Sequence, residues 1–436
     1  STQSPESWEQ ANHWLKRCMQ DHVYCKLYSP KLAFLPTRLI EIWGYYDDEP
    51  QIRLRNADML GSPVPYATLS HCWGSWMPFK LTRSNLMSCM ESIPLKELSK
   101  VFQDAISVTL RAEIRYIWID SLCIIQDSIK DWRAESTVMG LIYHYSILNI
   151  AATGFPDGSK GLFAQRDAKA LMPIAIVIKE DKVVTDTIGK RETEVSQGNY
   201  MLLDAQTWKD SVDDAPLGKR GWAVQERSLS VRTLHFSAKQ LYWECVSLKA
   251  CEIFPKGFAK GTLQHFPKFL LYPRTREYTG ARGKLLRKEM EEFGIGGLAN
   301  DEAHLGPHPV MGMTTAQQQW STIVEIYSRC ALSFSKDKLV AICGMAKLLS
   351  KDMDCKYLAG MWRKDLEHQL LWRVVQPMPA VKKDGTRGPS WSWTSVDGQV
   401  ETSHIKWLAR VAEVKTNLVG DDEFGQVSSG TLTLTG

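Results

Sequence analysis

The run Arg115-Tyr-Ile-Trp-Ile-Asp-Ser-Leu-Cys-Ile-Ile-Gln-Asp127 limits the fold more than any other stretch of the chain. Tyr116 to Ile119 is short, apolar and rich in β-branched and aromatic residues. That suits a strand covered on both faces better than an amphipathic helix. Asp120 falls where such a strand leaves its sheet. In open α/β sheets ligands collect in the crevice beyond the carboxyl ends of the strands, which makes Asp120, Cys123, Gln126 and Asp127 candidate site residues. A local alternative exists for each: Asp120 and Asp127 can cap the following turn, and Cys123 can be a small core residue.

A second strand of this kind, Tyr66 to Leu69, runs into Ser70-His-Cys-Trp-Gly74, where the glycine permits a tight turn. Successive strand residues point to opposite faces, so His71 and Cys72 do not pair with each other. Each needs a partner from another strand, such as Asp120 or the region near Cys123. His71 is thus a candidate acid/base group, against a hydrogen-bonded structural histidine, and Cys72 a candidate nucleophile. The apolar spacing of Val101 to Arg111 predicts a helix between the two strands, giving one crossover unit of a parallel sheet. Asp131 starts a further helix through Tyr143, with Glu135 in its first turn, where a carboxylate suits the helix dipole. Leu148 to Thr153 reads as the next strand. The third polar stretch, Lys219-Arg-Gly-Trp-Ala-Val-Gln-Glu-Arg-Ser-Leu-Ser230, carries Trp222, Glu226 and Arg227. Those two charges either pair on a surface, or Arg227 orients a carboxylate that faces the crevice. Arg232 to Phe236 and Gln240 to Cys245 then read as a hairpin.

The flanks are less informative. Residues 8 to 25 predict an opening helix with Trp8, Ala11, Leu15 and Cys18 on one stripe. Cys18, His22 and Cys25 continue that stripe and could reach zinc if a fourth ligand came from elsewhere. The usual knuckle spacing is absent and the same stripe packs as core, so no metal is expected. A strand begins near Pro36, with a return strand near Ile52 to Leu54, and Asn85 to Glu97 reads as a loop. Residues 155 to 215 look like an insertion with its own small β element, and 255 to 313 like a long exposed connection. Helices are expected over Gln317 to Ala331, Asp337 to Leu349 and Gly360 to Arg373. A β-rich tail starts at Pro389, with Trp391 and Trp393 alternating onto one face. The resulting division is residues 1–65, a central domain at 66–254, a connection at 255–316 and a helical and β-rich region at 317–436.

At 436 residues the chain exceeds the usual size of a single core. Its 53 Lys and Arg against 49 Asp and Glu leave a net charge of +4, which argues for neither nucleic acid nor an acidic membrane surface as partner. Ten cysteines without the density of a secreted disulfide module suggest reduced thiols and a cytoplasmic protein. No run approaches the roughly 20 apolar residues that span a bilayer, and Ser1-Thr-Gln-Ser-Pro5 does not read as a signal peptide.

Taken in order, Tyr66 to Gly74, Tyr116 to Asp127 with Asp131-Trp132, Glu135, Met139 and Ile142-Tyr143, and Arg220 to Ser230 resemble the fungal heterokaryon incompatibility (HET) domain family over about residues 66–230. Trp14 to Cys25, Tyr327 to Leu349 and Pro389 to Val396 look like the flanks many such fungal proteins carry. The resemblance implies an α/β fold with a central, mainly parallel sheet and flanking helices, remotely similar to TIR-type and flavodoxin-like domains. It also implies a role in non-self recognition and programmed cell death after hyphal fusion, through another HET-system protein or a second copy of the chain. Some TIR relatives cleave NAD with a glutamate, which by analogy makes Glu135 or Glu226 a candidate and NAD a possible substrate, with no bound cofactor expected. One departure stands out: His71 occupies a place where the family usually has Tyr. That, and the expectation of no appended nucleotide-binding or repeat domain, keeps a second class open. In it a biosynthetic enzyme on the HET scaffold uses acid/base chemistry on a small metabolite. The expected catalytic set is His71, Cys72, Asp120, Cys123 and Glu226. Ser70, Trp73, Gln126, Asp127, Trp222 and Arg227 would contact the ligand.

Overall fold

The computed structural model describes residues 1–29, 34–46, 49–74, 77–167, 169–185, 192–202, 204, 206–258, 268, 315–377, 387–402 and 408–436. Most of the expected 255–313 connection therefore lies outside the described residues.

Two helices open the chain, α1 (Pro5–Gln20) and α2 (Val23–Tyr28). Ser4 caps α1 by accepting from the Ser7 amide, and Pro5 stands at its first turn, where no amide is missed. An antiparallel pair follows, β1 (Arg38–Tyr46) and β2 (Glu49–Asn56). The central part then supplies β3 (Tyr66–Ser70), α3 (Leu86–Glu91), α4 (Lys100–Arg111), β4 (Tyr116–Trp118), α5 (Asp120–Cys123), α6 (Ile129–Tyr145) and β5 (Leu148–Ala151). Two nested antiparallel pairs lie between β5 and α7 in the chain: β6 (Ile174–Ile178) pairs with β9 (Gly198–Leu202), and β7 (Lys182–Thr185) with β8 (Glu192–Val195). They form the small β element expected of the insertion. The chain returns through α7 (Gly221–Leu229), β10 (Arg232–Phe236), β11 (Leu241–Cys245) and β12 (Lys249–Cys251).

One sheet of eight strands unites these pieces, in the order β12-β11-β10-β5-β3-β4-β1-β2. The four middle strands are parallel and both flanks are antiparallel. The expected parallel character is thus confined to the part built from crossover helices; tight returns extend the sheet on either side. Among the parallel strands the spatial order is second, first, third, fourth, the arrangement of flavodoxin-like sheets, whose switch point lies between the first and third. Here that point falls between β3 and β5. Because the chain moves one way from β3 to β4 and back past β3 to β5, right-handed crossovers place α4 and α6 on opposite faces. Helix α7 packs beside α6.

The C-terminal region adds α8 (Thr315–Ser328), α9 (Cys343–Met353) and the strand pairs β13 (Tyr357–Leu358) with β14 (Met361–Trp362), β15 (Arg373–Pro377) with β16 (Gly398–Glu401), and β17 (Arg410–Leu418) with β18 (Val427–Thr435). It is clamped to α6 and α7 at a glycine crossing: a Cβ on Gly140 would lie 3.0 Å from the Gly344 Cα, and the Gly344 amide donates to Gln225 Oε1 at 2.6 Å. Three sequence expectations fail. Asn85 to Glu97 contains α3 rather than only loop. The helix expected over Gly360 to Arg373 shrinks to Leu366–Gln369, because Gly360 and Asp365 adopt left-handed backbone and Gln369 turns inward to bond the Trp362 amide and carbonyl. Trp393 likewise lies in a single 3-10 turn, not on a strand face. No helix among the described residues is long and apolar enough to cross a membrane.

Candidate functional site

The crevice beyond β3 and β5 is built from polar side chains that apolar strands deliver to one place. Strand β3 is buried throughout, and Ser70 and His71 at its carboxyl end stay buried. Asp120 opens α5 directly after β4, and Glu226 comes from α7, which contacts β3. Tyr143 of α6 and Asn149 of β5 complete the enclosure.

His71 packs its ring edgewise on Phe102 of α4, with centroids 5.0 Å apart. Its Nδ1 stands 4.0 Å from Asp120 Oδ1, an electrostatic neighbour beyond hydrogen-bond length, and its Nε2 has no hydrogen-bond partner among the described residues. Its carbonyl accepts from the Arg220 guanidinium, which ties the strand end to the start of α7. Burial pushes the imidazole down to about 4; Asp120 opposes that shift, and Arg220 adds to it. Asp120 is itself held in place, accepting from Trp73 Nε1 at 2.7 Å and from the Ser121 amide at 2.7 Å.

Glu226 is the second buried ioniser. Burial raises its carboxyl to about 7, against the lowering influence of Arg220 and the neighbouring Ser70 hydroxyl. The Ser70 and Tyr143 hydroxyls flank the carboxyl, yet their own protons go elsewhere, to Asn149 Oδ1 at 3.1 Å and the Leu69 carbonyl at 3.0 Å. Glu226 Oε2 has no hydrogen-bond partner among the described residues. His71 and Glu226 are each only 3% exposed. The imidazole and the carboxyl share Asp120 and Arg220 as electrostatic neighbours, and burial has moved their values in opposite senses.

The structure separates the remaining candidates. Ser70, His71, Asp120, Glu226 and Trp73 converge. Cys72 is buried with Ala151, Leu217 and Ala223, and burial raises its thiol. Cys123 is fully buried, its thiol pushed up to about 12 by burial, while its carbonyl accepts from Arg38 Nε at 2.7 Å. In both, burial outweighs the lowering influence of the neighbouring arginine, Arg220 at Cys72 and Arg38 at Cys123. Gln126 fastens its own loop to the Asp120 and Ile124 carbonyls, and Asp127 accepts from the Arg83 amide. Trp222 packs edgewise on Trp132 of α6. Arg227 lies in another buried cluster, donating to Glu244 at 2.7 and 3.1 Å and to Asp213 at 2.7 Å. Glu135 stands with Arg38 and Asp131, with Arg38 Nη2 at 3.9 Å, rather than with Glu226.

Sequence reasoning passed over Arg220, Tyr143 and Asn149 as site residues. Asn149 carried a usable signal, a lone amide inside the otherwise apolar Leu148-Asn-Ile-Ala151. Arg220, just ahead of α7, and Tyr143 of α6 had none beyond their place in the long motifs.

Residues 66–226 match the family model of the heterokaryon incompatibility protein (HET). The chain carries a HET domain. The matched span begins at β3, the first parallel strand, and ends at Glu226, so it encloses the whole crevice. The HET domain here is also continuous with parts outside the match: β1 and β2 extend its sheet at one edge, and β10 to β12 at the other. No curated protein and no solved structure matches the chain.

Proposed function

We propose that this HET-domain chain serves in non-self recognition and the programmed cell death that follows hyphal fusion, in the cytoplasm, and that its crevice hydrolyses a small molecule, with NAD the first substrate to test. The observation that carries the chemical part is Glu226: a buried carboxyl with one oxygen unpartnered, poised near neutrality beyond the switch point of the sheet. Its ionised form placed beside the ribosyl carbon would stabilise the positive charge that develops as the bond to nicotinamide breaks. Water then adds at that carbon, giving nicotinamide, ADP-ribose and a proton. Substrate would reach the site by drawing the half-buried Trp73 away from Asp120. Recognition would run through another HET-system protein or a second copy of the chain.

His71 favours a second reading. Its free Nε2 and neutral state suit a general base acting on a small metabolite in a dehydration or cyclisation, with Asp120 steadying the imidazolium that forms. Both readings are tested together by incubating the purified chain with NAD and, separately, with an extract of fungal metabolites, followed by mass spectrometry beside Glu226→Gln and His71→Ala variants. NAD loss abolished by Glu226→Gln supports the first reading. A metabolite consumed only when His71 is present supports the second, and turnover of neither removes the chemical role.

A further inference from the structure

The opposite end of the sheet holds a cluster that the crevice does not use. Cys18 lies in the last turn of α1, His22 caps α2, Cys25 lies within α2, and Cys245 ends β11. Their sulfur and imidazole atoms all lie within 4.8 Å of one another. Cys245 pairs with Arg232, the first residue of β10, so the cluster sits at the amino end of the parallel strands while His71 lies beyond their carboxyl end.

We propose that Cys18, His22, Cys25 and Cys245 bind one structural zinc ion, with His22 bonding through Nδ1. Three soft sulfurs and one imidazole are a zinc ligand set, and four protein ligands leave no open position for substrate. In a tetrahedral site with Zn–S about 2.3 Å and Zn–N about 2.0–2.1 Å, a sulfur and a nitrogen ligand stand about 3.5 Å apart. His22 Nδ1 lies 3.4 Å from Cys245 Sγ and 3.8 Å from Cys25 Sγ, on either side of that separation. The charge balance points the same way. Binding releases three thiol protons, and three thiolates around a dication leave one net negative charge. Arg232, itself buried, donates from Nε to Cys18 Sγ at 3.2 Å and from Nη2 to Ser29 Oγ at 2.7 Å; no carboxylate among the described residues pairs with it. A buried guanidinium without an anion is costly, and a zinc–thiolate centre supplies that anion. Cysteines that merely fill core space have no need of such a donor.

The ion would join a helical pair at the start of the chain to a strand 227 residues after Cys18 (245 less 18), fixing the opening helices against the edge of the HET sheet. Trp14 of α1 already stacks on Trp243 of β11 at this seam, with centroids 6.3 Å apart.

The test is metal analysis of the full chain purified without added chelator. About one zinc per chain is expected, and Cys18→Ser and Cys245→Ser should each lower it at least about tenfold while Cys89→Ser, elsewhere in the fold, leaves it unchanged. Because loss of a ligand can unfold the chain, X-ray absorption on the unaltered protein provides the second readout, with three sulfurs and one nitrogen in the zinc shell expected. A chain that stays metal-free after expression in zinc-supplemented medium overturns the proposal. So does a zinc shell made mainly of oxygen, or zinc content that survives loss of Cys18 and Cys245 in folded variants.

Discussion

Replacing Glu226 by Gln isolates the energetic cost of the buried carboxyl. Its value rises from the ordinary 4.5 to about 7 in the folded chain, chiefly through burial. At about 1.4 kcal/mol per pH unit, that rise separates the two protonation states by about 3 kcal/mol. The sign follows from proton linkage: the folded state holds this proton more tightly than the unfolded state. Stability from Glu226 is therefore fully present below pH 4.5 and is lost as pH rises through about 7. Glutamine has no proton to lose. Denaturant unfolding followed by tryptophan fluorescence, at intervals across this range, should give wild-type and Glu226→Gln curves that diverge with pH, the wild type losing about 3 kcal/mol relative to the variant by pH 8. His71 has the opposite dependence, since a histidine lowered to about 4 costs stability as pH falls below 6.5. That background is common to both proteins and cancels in the difference. Parallel curves would mean that the carboxyl ionises in the folded chain as it does in the unfolded one, and the proposed environment of Glu226 would be wrong.

Arg38→Ala should destabilise the chain by about 3–5 kcal/mol, because Arg38 holds the Cys123 carbonyl and Asp131 and its loss leaves Asp131 and buried Glu135 without their cation. Urea unfolding that shows a loss below about 1 kcal/mol would refute the account of this pair. Cys72 and Cys123, both buried with thiols raised by burial, should resist alkylation in the native protein at neutral pH and label only on unfolding; rapid modification of either, read by peptide mass spectrometry, would restore it as a nucleophile candidate.

What the sequence disclosed follows from how local each signal is. Strands β3, β4 and β5 were legible as short, largely apolar runs followed by polar residues, and the alternation of strands and helices forces a parallel arrangement, while β10 was legible as half of a hairpin. The return from β1 to β2 and the β10–β11 hairpin were legible as local turns, but the attachment of β1 to the sheet depends on pairing between segments far apart in the chain, such as Ile40 with Ile117, which no window of sequence contains. Ser70, His71 and Asp120 could be placed together because each ends or follows a strand, whereas Glu226, on α7, entered by analogy with a catalytic glutamate. Arg227, one residue beyond Glu226, points instead into the Glu244 cluster, because neighbours on a helix do not share a face. Cys245 was out of reach for the same reason as the sheet edges: only the fold carries it to His22.

The two chemistries proposed for the crevice call for different protonation states of Glu226. Near neutrality His71 is uncharged and Glu226 is divided between acid and carboxylate. Cleavage of NAD by charge stabilisation needs the carboxylate, so its rate should rise with pH through about 7 and then level. A dehydration or cyclisation that draws its acid from Glu226 and its base from His71 needs the protonated form, and its rate should fall about tenfold per pH unit above about 7. The low value of His71 removes any competing limb until pH nears about 4. Glu226→Gln separates the cases further, since an amide can still donate a hydrogen bond but cannot carry the negative charge. A profile flat across about pH 5 to 9 in both assays would remove Glu226 from the chemistry and leave its burial as a structural cost alone.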